Sequence, residues 1–493
     1  MHKKIAILLI MIILLQVTGC ALQAPKTSSN ESVKVKEEYF GEEKNAFGNI
    51  TAPSDFDWKQ CDGTVLNFLL EDNINASILS KEVEKFTEVT GIKVNIKCVD
   101  FNILVEKINM DFISETAQYD LIYVDPYQTL SKFSDSLEDL NIYEDNPQIP
   151  HIVGGLDSFQ KEHIEICSRF GDEEKLCAIP FDSTTMILFY RADIFQKYGP
   201  QMQRDLGYLP QPGSSTFTWD RYIETARWIT KHVPKEEIKY SSLSMSANHN
   251  SIYTEFSNFL AAFGGNYFEE QDLYTYGGRA AGSILSNTPE FKKALTEYKE
   301  FATLNNAKEE GCNWSEVTEA FKKGEVAMML NWDESAAALE NKEESQVAGK
   351  VGYGILPYGD SRSACIYGGS GIGINKYADE KEKLASWLFI VWATSPQVQM
   401  KAFLGKDGGN LPTRMNLLAL IEGEYMSNLP QAFSAIRSLK SRNVYYRPKI
   451  SNGYEFEMIM TNHLFQMVHK DQDVGQVAKQ IQSDWEKVLE EEK

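Results

Sequence analysis

A two-lobed α/β fold is predicted by three features of the 493-residue chain. Its length exceeds what one hydrophobic core usually supports, so two lobes are expected. Between Thr64 and Val124 strand and helix patterns alternate, the mark of an open α/β sheet whose ligands bind outside the carboxyl ends of strands. Finally, Ile179 to Gly199 reads as a strand, a polar turn and a second strand, a connection on which two lobes can hang.

Composition narrows the function. A hydrophobic content of 43% and an aromatic content of 12% are ample for real cores. The formal net charge of -21 argues against nucleic acid, because phosphate neutralisation needs clustered Lys and Arg. The chain holds no GxxxxGK[ST], HExxH or CxxC motif, and neither cofactor nor metal is expected.

The first residues read as a targeting segment. Lys3 and Lys4 precede the apolar run Ile5 to Leu15, which is shorter than the roughly 20 residues a membrane-spanning helix needs. Val17-Thr18-Gly19-Cys20 resembles a bacterial lipobox. That resemblance implies a signal peptide over 1–19, cleavage before Cys20, and diacylglycerol on the Cys20 thiol with palmitate-type chains. The alternative is an ordinary signal peptide followed by a chance cysteine. The polar stretch over 20–60 reads as a flexible tether. Six further cysteines fit no zinc spacing; Cys167 and Cys177 flank a turn and could pair across it, or remain buried thiols.

Thr64 to Leu70 then reads as a strand, followed by the loop Glu71-Asp72-Asn73. Leu79, Val83, Phe86 and Val89 mark one face of a helix that Gly91 closes. Ile92, Val94, Ile96 and Cys98 alternate with polar residues as a half-buried strand, and a second helix carries Leu104, Ile108 and Phe112. Asp120 to Val124 is a near-continuous apolar run of the buried parallel type. Pro180 ends the next strand, and Met186 to Tyr190 starts another that feeds a short helix stopping at Gly199. The segment Gln201 to Ser215 carries no pattern. Thr218 and Thr288 open helices, the latter with proline at the first helical position. Val326 to Leu330 is a strand delivering Asn331-Trp332-Asp333, and Gly368 to Ile374 is a glycine-rich strand. Trp219, Trp387 and Trp485 lie on apolar helix stripes and are assigned to the core; Trp228 and Trp314 are left open.

Several of these pieces resemble, in order, the bacterial extracellular solute-binding proteins of family 1, the sugar-binding lipoproteins of ABC transporters. The pieces are Ile179-Pro-Phe with Tyr190-Arg-Ala-Asp-Ile-Phe195, Thr218-Trp-Asp220, Ala320-Phe-Lys-Lys-Gly-Glu-Val-Ala-Met-Met329, Gly369-Ser-Gly-Ile-Gly-Ile374 with Ser395-Pro-Gln397, and Leu411-Pro-Thr-Arg414. Phe217 stands where the family often has proline. The resemblance implies a periplasmic-binding-protein-like fold with three interlobe crossovers, near Pro180, Ala348 and Ser395. Lobe I would then be 61–180 plus 350–394, and lobe II 181–349 plus 395–493. It further implies an extracytoplasmic protein, lipid-anchored at the outer face of the cell membrane and monomeric, that passes a carbohydrate to ABC permease subunits.

A sugar needs carboxylates and amides for its hydroxyls and an aromatic face for its ring. Strand ends place Glu71, Asp72, Asp125 and Tyr127 along one edge, each either a ligand group or a loop and cap residue. Trp332, beside Asp333, takes the role of the cleft tryptophan that the resemblance implies, with core packing as its alternative. Asp182 stands in the hinge turn, facing the cleft or stabilising the turn. Asn266, in the aromatic-flanked turn Phe263 to Phe268, completes the polar set. Gly369 and Ser370 would let a ligand approach the backbone, unless they only pack tightly. A competing function is a lipid-anchored glycan hydrolase using two of these acids. Tyr445-Tyr446 suggests iron binding, but Tyr446-Arg-Pro448 with Tyr454 resembles a late rim segment of the same family.

Overall fold

Runs of β-branched and aromatic residues form the strands of three sheets in the computed structural model, which describes residues 47, 50–171, 174–279, 282–304, 311–404, 409–425, 429–440 and 442–491. The segment over 1–19 read as a signal peptide, Cys20 and most of the stretch read as a tether lie outside the described residues. In chain order the strands are β1 (Val65–Glu71), β2 (Lys93–Val99), β3 (Leu121–Val124), β4 (Ile179–Pro180), β5 (Met186–Arg191), β6 (Tyr240–Leu243), β7 (Val326–Trp332), β8 (Val351–Gly354), β9 (Cys365–Ile366), β10 (Gly371–Ile374) and β11 (Val444–Tyr445).

The first sheet has the order β2-β1-β3-β10-β4, with β1 parallel to both neighbours and β10 antiparallel to both of its own. Leu66, Phe68, Leu121 and Ile122 are buried in it and join a core with Phe86, Trp387, Phe389 and Trp392 from the flanking helices Ile74–Thr90 and Glu380–Ala393. Asn73 caps the first of these helices by accepting from the Ala76 amide, and Gly91 ends it at φ 72 in the left-handed region. The second sheet has the order β6-β7-β5-β8; helix Trp219–His232 packs on β6 and β7, and helix Asn250–Ala262 lies against β9. The last sheet pairs β9 with β11. Trp219, Trp387 and Trp485 are fully buried, as their stripes predict; Trp228 is buried too, its Nε1 donating to Asp205 at 2.9 Å.

The first crossing between the two large sheets runs from β4 to β5 through 181–185. The second differs from expectation. Val351–Gly354 pairs antiparallel with β5 in the second sheet, so this crossing lies between β8 and β10 rather than near Ala348. The edge of β5 was open, and β8 fills it before the chain leaves. The third also comes later than Ser395. Helix Pro396–Leu404 still packs on the first lobe, where Val398 enters the core and Lys401 pairs with Glu82 at 3.0 Å. Arg414 is held there as well, donating to the carbonyls of Thr394 at 2.6 Å and Val153 at 2.5 Å. Helix Pro430–Ser438 packs on β5 and β8, which puts the third crossing between Arg414 and Pro430.

Three local expectations change. The helix after β5 does not stop at Gly199 but runs Ala192–Leu206 through Pro200, and Gly207 at φ 80 caps it, which gives the first part of Gln201 to Ser215 its structure. Phe47 and Ile50 are buried in the first-lobe core, and Phe56 and Trp58 pack against it, so the folded body starts before residue 61. Cys167 and Cys177 are free buried thiols: the Cys167 thiol lies 3.6 Å from the Tyr367 hydroxyl, and the Cys177 thiol 3.8 Å from the Ser134 carbonyl.

Candidate functional site

The carboxyl ends of β1 and β7 meet the first crossing. Glu71 ends β1, opposite Val99 of β2. Trp332 ends β7, opposite Met186 of β5. Asp182 lies between, on the segment that joins the sheets.

Asp182 is 2% exposed, and one carboxylate oxygen, Oδ2, accepts from the Tyr123 hydroxyl at 2.7 Å. The Asn410 and Asn75 side chains and the Ser183 amide also hold this carboxylate. Burial pushes its pKa up to about 6, and Tyr123, Asn410 and Asn75 pull against that rise. Backbone pairing fixes the crossing: the Phe181 and Asp182 amides donate to the Ser370 carbonyl at 2.9 and 3.1 Å. Ser370 is buried. Gly369 fits because a Cβ there would stand 2.1 Å from the Tyr367 hydroxyl and 2.5 Å from the Asp182 carbonyl. Close packing alone therefore requires this glycine.

Asp333 ties the second sheet to the same crossing. Its Oδ1 accepts from the Thr184 hydroxyl at 2.9 Å and from the Thr185 amide at 2.8 Å. Burial first, and Asp182 among its neighbours, push its pKa up to about 7. The half-buried Trp332 lies against Gly368, where a Cβ would come within 2.5 Å of the indole. Glu334 follows, one carboxylate oxygen buried and without a partner. Burial, then Asp182, Glu71 and Asp333, hold its pKa well above the ordinary carboxylate range. Glu71 is half-buried; desolvation, then Asp182, Asp125, Asp100 and Asp72, push it up to about 8. Electrostatically these acids form one group.

Asp125 and Tyr127 belong to a neighbouring cluster. Asp125 caps the turn Pro126–Leu130, accepting from the Tyr127 and Gln128 amides at 2.9 and 2.7 Å. The Arg447 guanidinium lies 4.0 Å above the Tyr127 ring centre and 3.9 Å from Glu457. Burial pulls the Arg447 pKa down, and Tyr127, Tyr253, Glu457 and Asp125 more than restore it. Nearby, the fully buried Lys449 ammonium donates to the carbonyls of Glu165, Ile166 and Arg169 at 2.7, 3.0 and 2.6 Å, closing the end of helix Lys161–Ser168. Burial lowers its pKa to about 7.

Asp72 is exposed just past β1, acting on Glu71 through its charge. Asn266 lies apart, beyond helix Asn250–Ala262, beside Tyr267 and Phe268, whose rings pack on Phe456. At the mouth, Phe101 of the first lobe meets Trp314 of the second at 6.3 Å between ring centres, and His249 backs the indole at 4.7 Å. Sequence reasoning missed Tyr123, Glu334, Arg447 and Glu457. Glu334 carried a usable signal, its position next to Trp332-Asp333, and Arg447 lay within the segment Tyr446-Arg-Pro448 noted above. Among the described residues, no group of three His, Cys, Asp or Glu is arranged to hold a metal ion.

Comparison with known proteins agrees with this architecture. A family model for bacterial extracellular solute-binding proteins matches residues 72–400. A probable amino-acid ABC transporter periplasmic-binding protein of Sinorhizobium fredii is 22% identical over 398 residues, covering 80% of this chain and 83% of the relative. A mannitol-binding protein of Pseudomonas aeruginosa is 23% identical over 381 residues, covering 75% and 77%. Among solved structures, maltose-bound MalE3 of T. maritima superposes with a TM-score of 0.69 at 22% identity, covering 86% of this chain and all of the other (100%).

Proposed function

The chain belongs to the family of bacterial extracellular solute-binding proteins, and from that premise we propose that its interlobe cleft captures a carbohydrate for an ABC importer. The observation that carries this reading is the half-buried Trp332 among Glu71, Asp182, Asp333 and Glu334, an apolar face ringed by hydrogen-bonding groups. Relatives named for mannitol and maltose fit such a site. A free amino acid fits it less well. Its carboxylate would face acids on every side, while Arg447 is engaged with Asp125, Tyr127 and Glu457. The acids also suit binding better than hydrolysis, since Asp182 accepts from Tyr123 and Asp333 is bonded to the crossing. Labelled oligosaccharide is therefore expected to emerge unchanged from incubation with the protein.

Calorimetry over a panel of neutral glycans and polyols tests the proposal, with Trp332→Ala as its control. A cognate ligand is expected near micromolar, about -8 kcal/mol. Loss of the indole should cost roughly 1 to 3 kcal/mol of that affinity. A folded Trp332→Ala protein with full affinity would remove Trp332 from the site. Because contacts come from both lobes, ligand favours the closed form, and closure is the state a permease can read.

The membrane attachment we infer comes from Val17-Thr18-Gly19-Cys20. Among the described residues no helix is long and apolar enough to cross a membrane. Two or three acyl chains on Cys20 would hold the protein at the outer face as a monomer, since each buried CH2 contributes about 0.8 kcal/mol. Cys20→Ala should shift the protein to soluble or precursor fractions on cell fractionation. A mature-sized Cys20→Ala protein retained in the membrane would refute the anchor.

A further inference from the structure

We propose that Phe101 and Trp314 form a gate that limits the bound carbohydrate to one or two sugar rings or a linear polyol. This deepens the carbohydrate reading and rests on it. Strand order puts the gate far from the hinge. The first two crossings use β4, β10, β5 and β8, which stand together at one end of each sheet, and β2 and β6 are the opposite ends. Phe101 comes two residues after β2. Beyond β6, the Ala247 amide donates to the Cys312 carbonyl at 3.1 Å, two residues before Trp314. A ring contact between these far ends forms only when the lobes are closed.

Each aromatic is tied to a neighbour of a site residue. Val99 stands opposite Glu71 in the register of β1 and β2. Asp100 follows and caps helix Phe101–Ser114, accepting from the Asn102 amide at 3.0 Å, which fixes where Phe101 starts. Trp314 opens helix Trp314–Lys322 behind the capping box of Asn313 and Glu316. Its carbonyl accepts from the Asn331 side chain at 3.1 Å, one residue before Trp332. Both rings are half-buried, with centres 6.3 Å apart and planes at 75°, a direct edge-to-face pair. His249 backs the indole, and the charge of Asp100 reaches His249 across the mouth. A sugar ring between the two aromatics would need about 3.5 to 4 Å of contact distance on each face, which a touching pair does not leave. A chain that grows from Trp332 toward the mouth therefore holds the rings apart and opposes closure. A short ligand lets them meet.

Titration calorimetry with mannitol and with glucose and mannose oligomers of graded length, from a single ring to chains of four, tests the gate. The tightest ligand should be the polyol or have no more than two rings, and four-ring chains should bind at least about tenfold more weakly, a difference of about 1.4 kcal/mol. Phe101→Ala should bring that ratio toward one, and Trp314→Ala should do the same; should either variant misfold by circular dichroism, the other reads the ratio. A loss of affinity shared equally by short and long ligands would mark the pair as structural and overturn the gate. Four-ring chains that bind the parent protein as tightly as shorter ones also overturn it, and leave the carbohydrate reading intact. Failure of every one of these probes and of the neutral panel overturns the carbohydrate reading, and the gate with it.

Discussion

Arg447→Met is expected to destabilise the protein by about 3 to 5 kcal/mol, the cost of leaving a buried partner charge uncompensated. Arg447 is 5% exposed and Glu457 6%, and Asp125 is buried beside them, so removing the guanidinium strands two acids in a low-dielectric site. The Tyr127 ring also loses the cation 4.0 Å above it. Urea unfolding, read as the shift in midpoint at constant slope, measures the effect. Adding Glu457→Gln to Arg447→Met should recover part of the loss, because one of the stranded charges is gone. A midpoint within error of the parent would mean that Arg447 is not the counter-ion of this cluster. Asp125 follows a strand of the first sheet, whereas Glu457 lies on helix Gly453–His469 against the second lobe's helix Asn250–Ala262, so the triad spans both lobes. Ligand-free protein should suffer most.

Stability without ligand should also fall as pH rises from about 5 to 8. The sign follows from the acids at the crossing. Glu71 moves from 4.5 to about 8 on folding, Asp333 from 3.8 to about 7, and Asp182 from 3.8 to about 6. Each folded-state pKa is raised, so the folded form binds the proton more tightly. That contribution is complete below the unfolded value and is lost as pH climbs through the folded one. For Glu71 the window is about 4.5 to 8. Partial solvent access reduces its share to on the order of 2 kcal/mol. Glu71→Gln should flatten the melting-temperature profile across this window and raise it at pH 8. A profile that rises with pH, or one that Glu71→Gln leaves unchanged, would show that these acids are not buried against one another.

Much of this arrangement was legible in residue patterns, and the parts that were not have a common cause. Cap chemistry located helix ends at Gly91, Thr218 and Thr288 because it is local, a matter of neighbouring amides. Glu71, Asp182, Trp332 and Asp333 could be singled out because strand ends are visible in the hydrophobic pattern. Tyr123 could not. It sits in an unbroken apolar run, and only its register opposite Ile372 brings its hydroxyl to Asp182. Arg447 and Glu457 meet through the packing of a distant helix, which no spacing encodes. The second and third crossings were misjudged for a related reason: Val351–Gly354 is a strand in either lobe, and only the free edge of β5 selects one. At Gly199-Pro200 local signals pointed to a stop, yet the helix continues to Leu206, where Met202 is buried. Tertiary burial outweighed the proline there.

The position of β10 has a consequence for how the chain acquires its structure. All four strands of the second sheet lie between Met186 and Gly354, so that sheet can assemble from one continuous stretch. The first cannot. Ile372 pairs with Tyr123 on one side and Ile179 on the other, so β3 and β4 have no common neighbour until β10 arrives from far along the chain. Loop closure over such a separation is slow, and the unpaired strand edges stay exposed in the meantime. The first sheet is therefore expected to close after the second, and the interval before β10 inserts is when its strand edges are most open to aggregation and proteolysis.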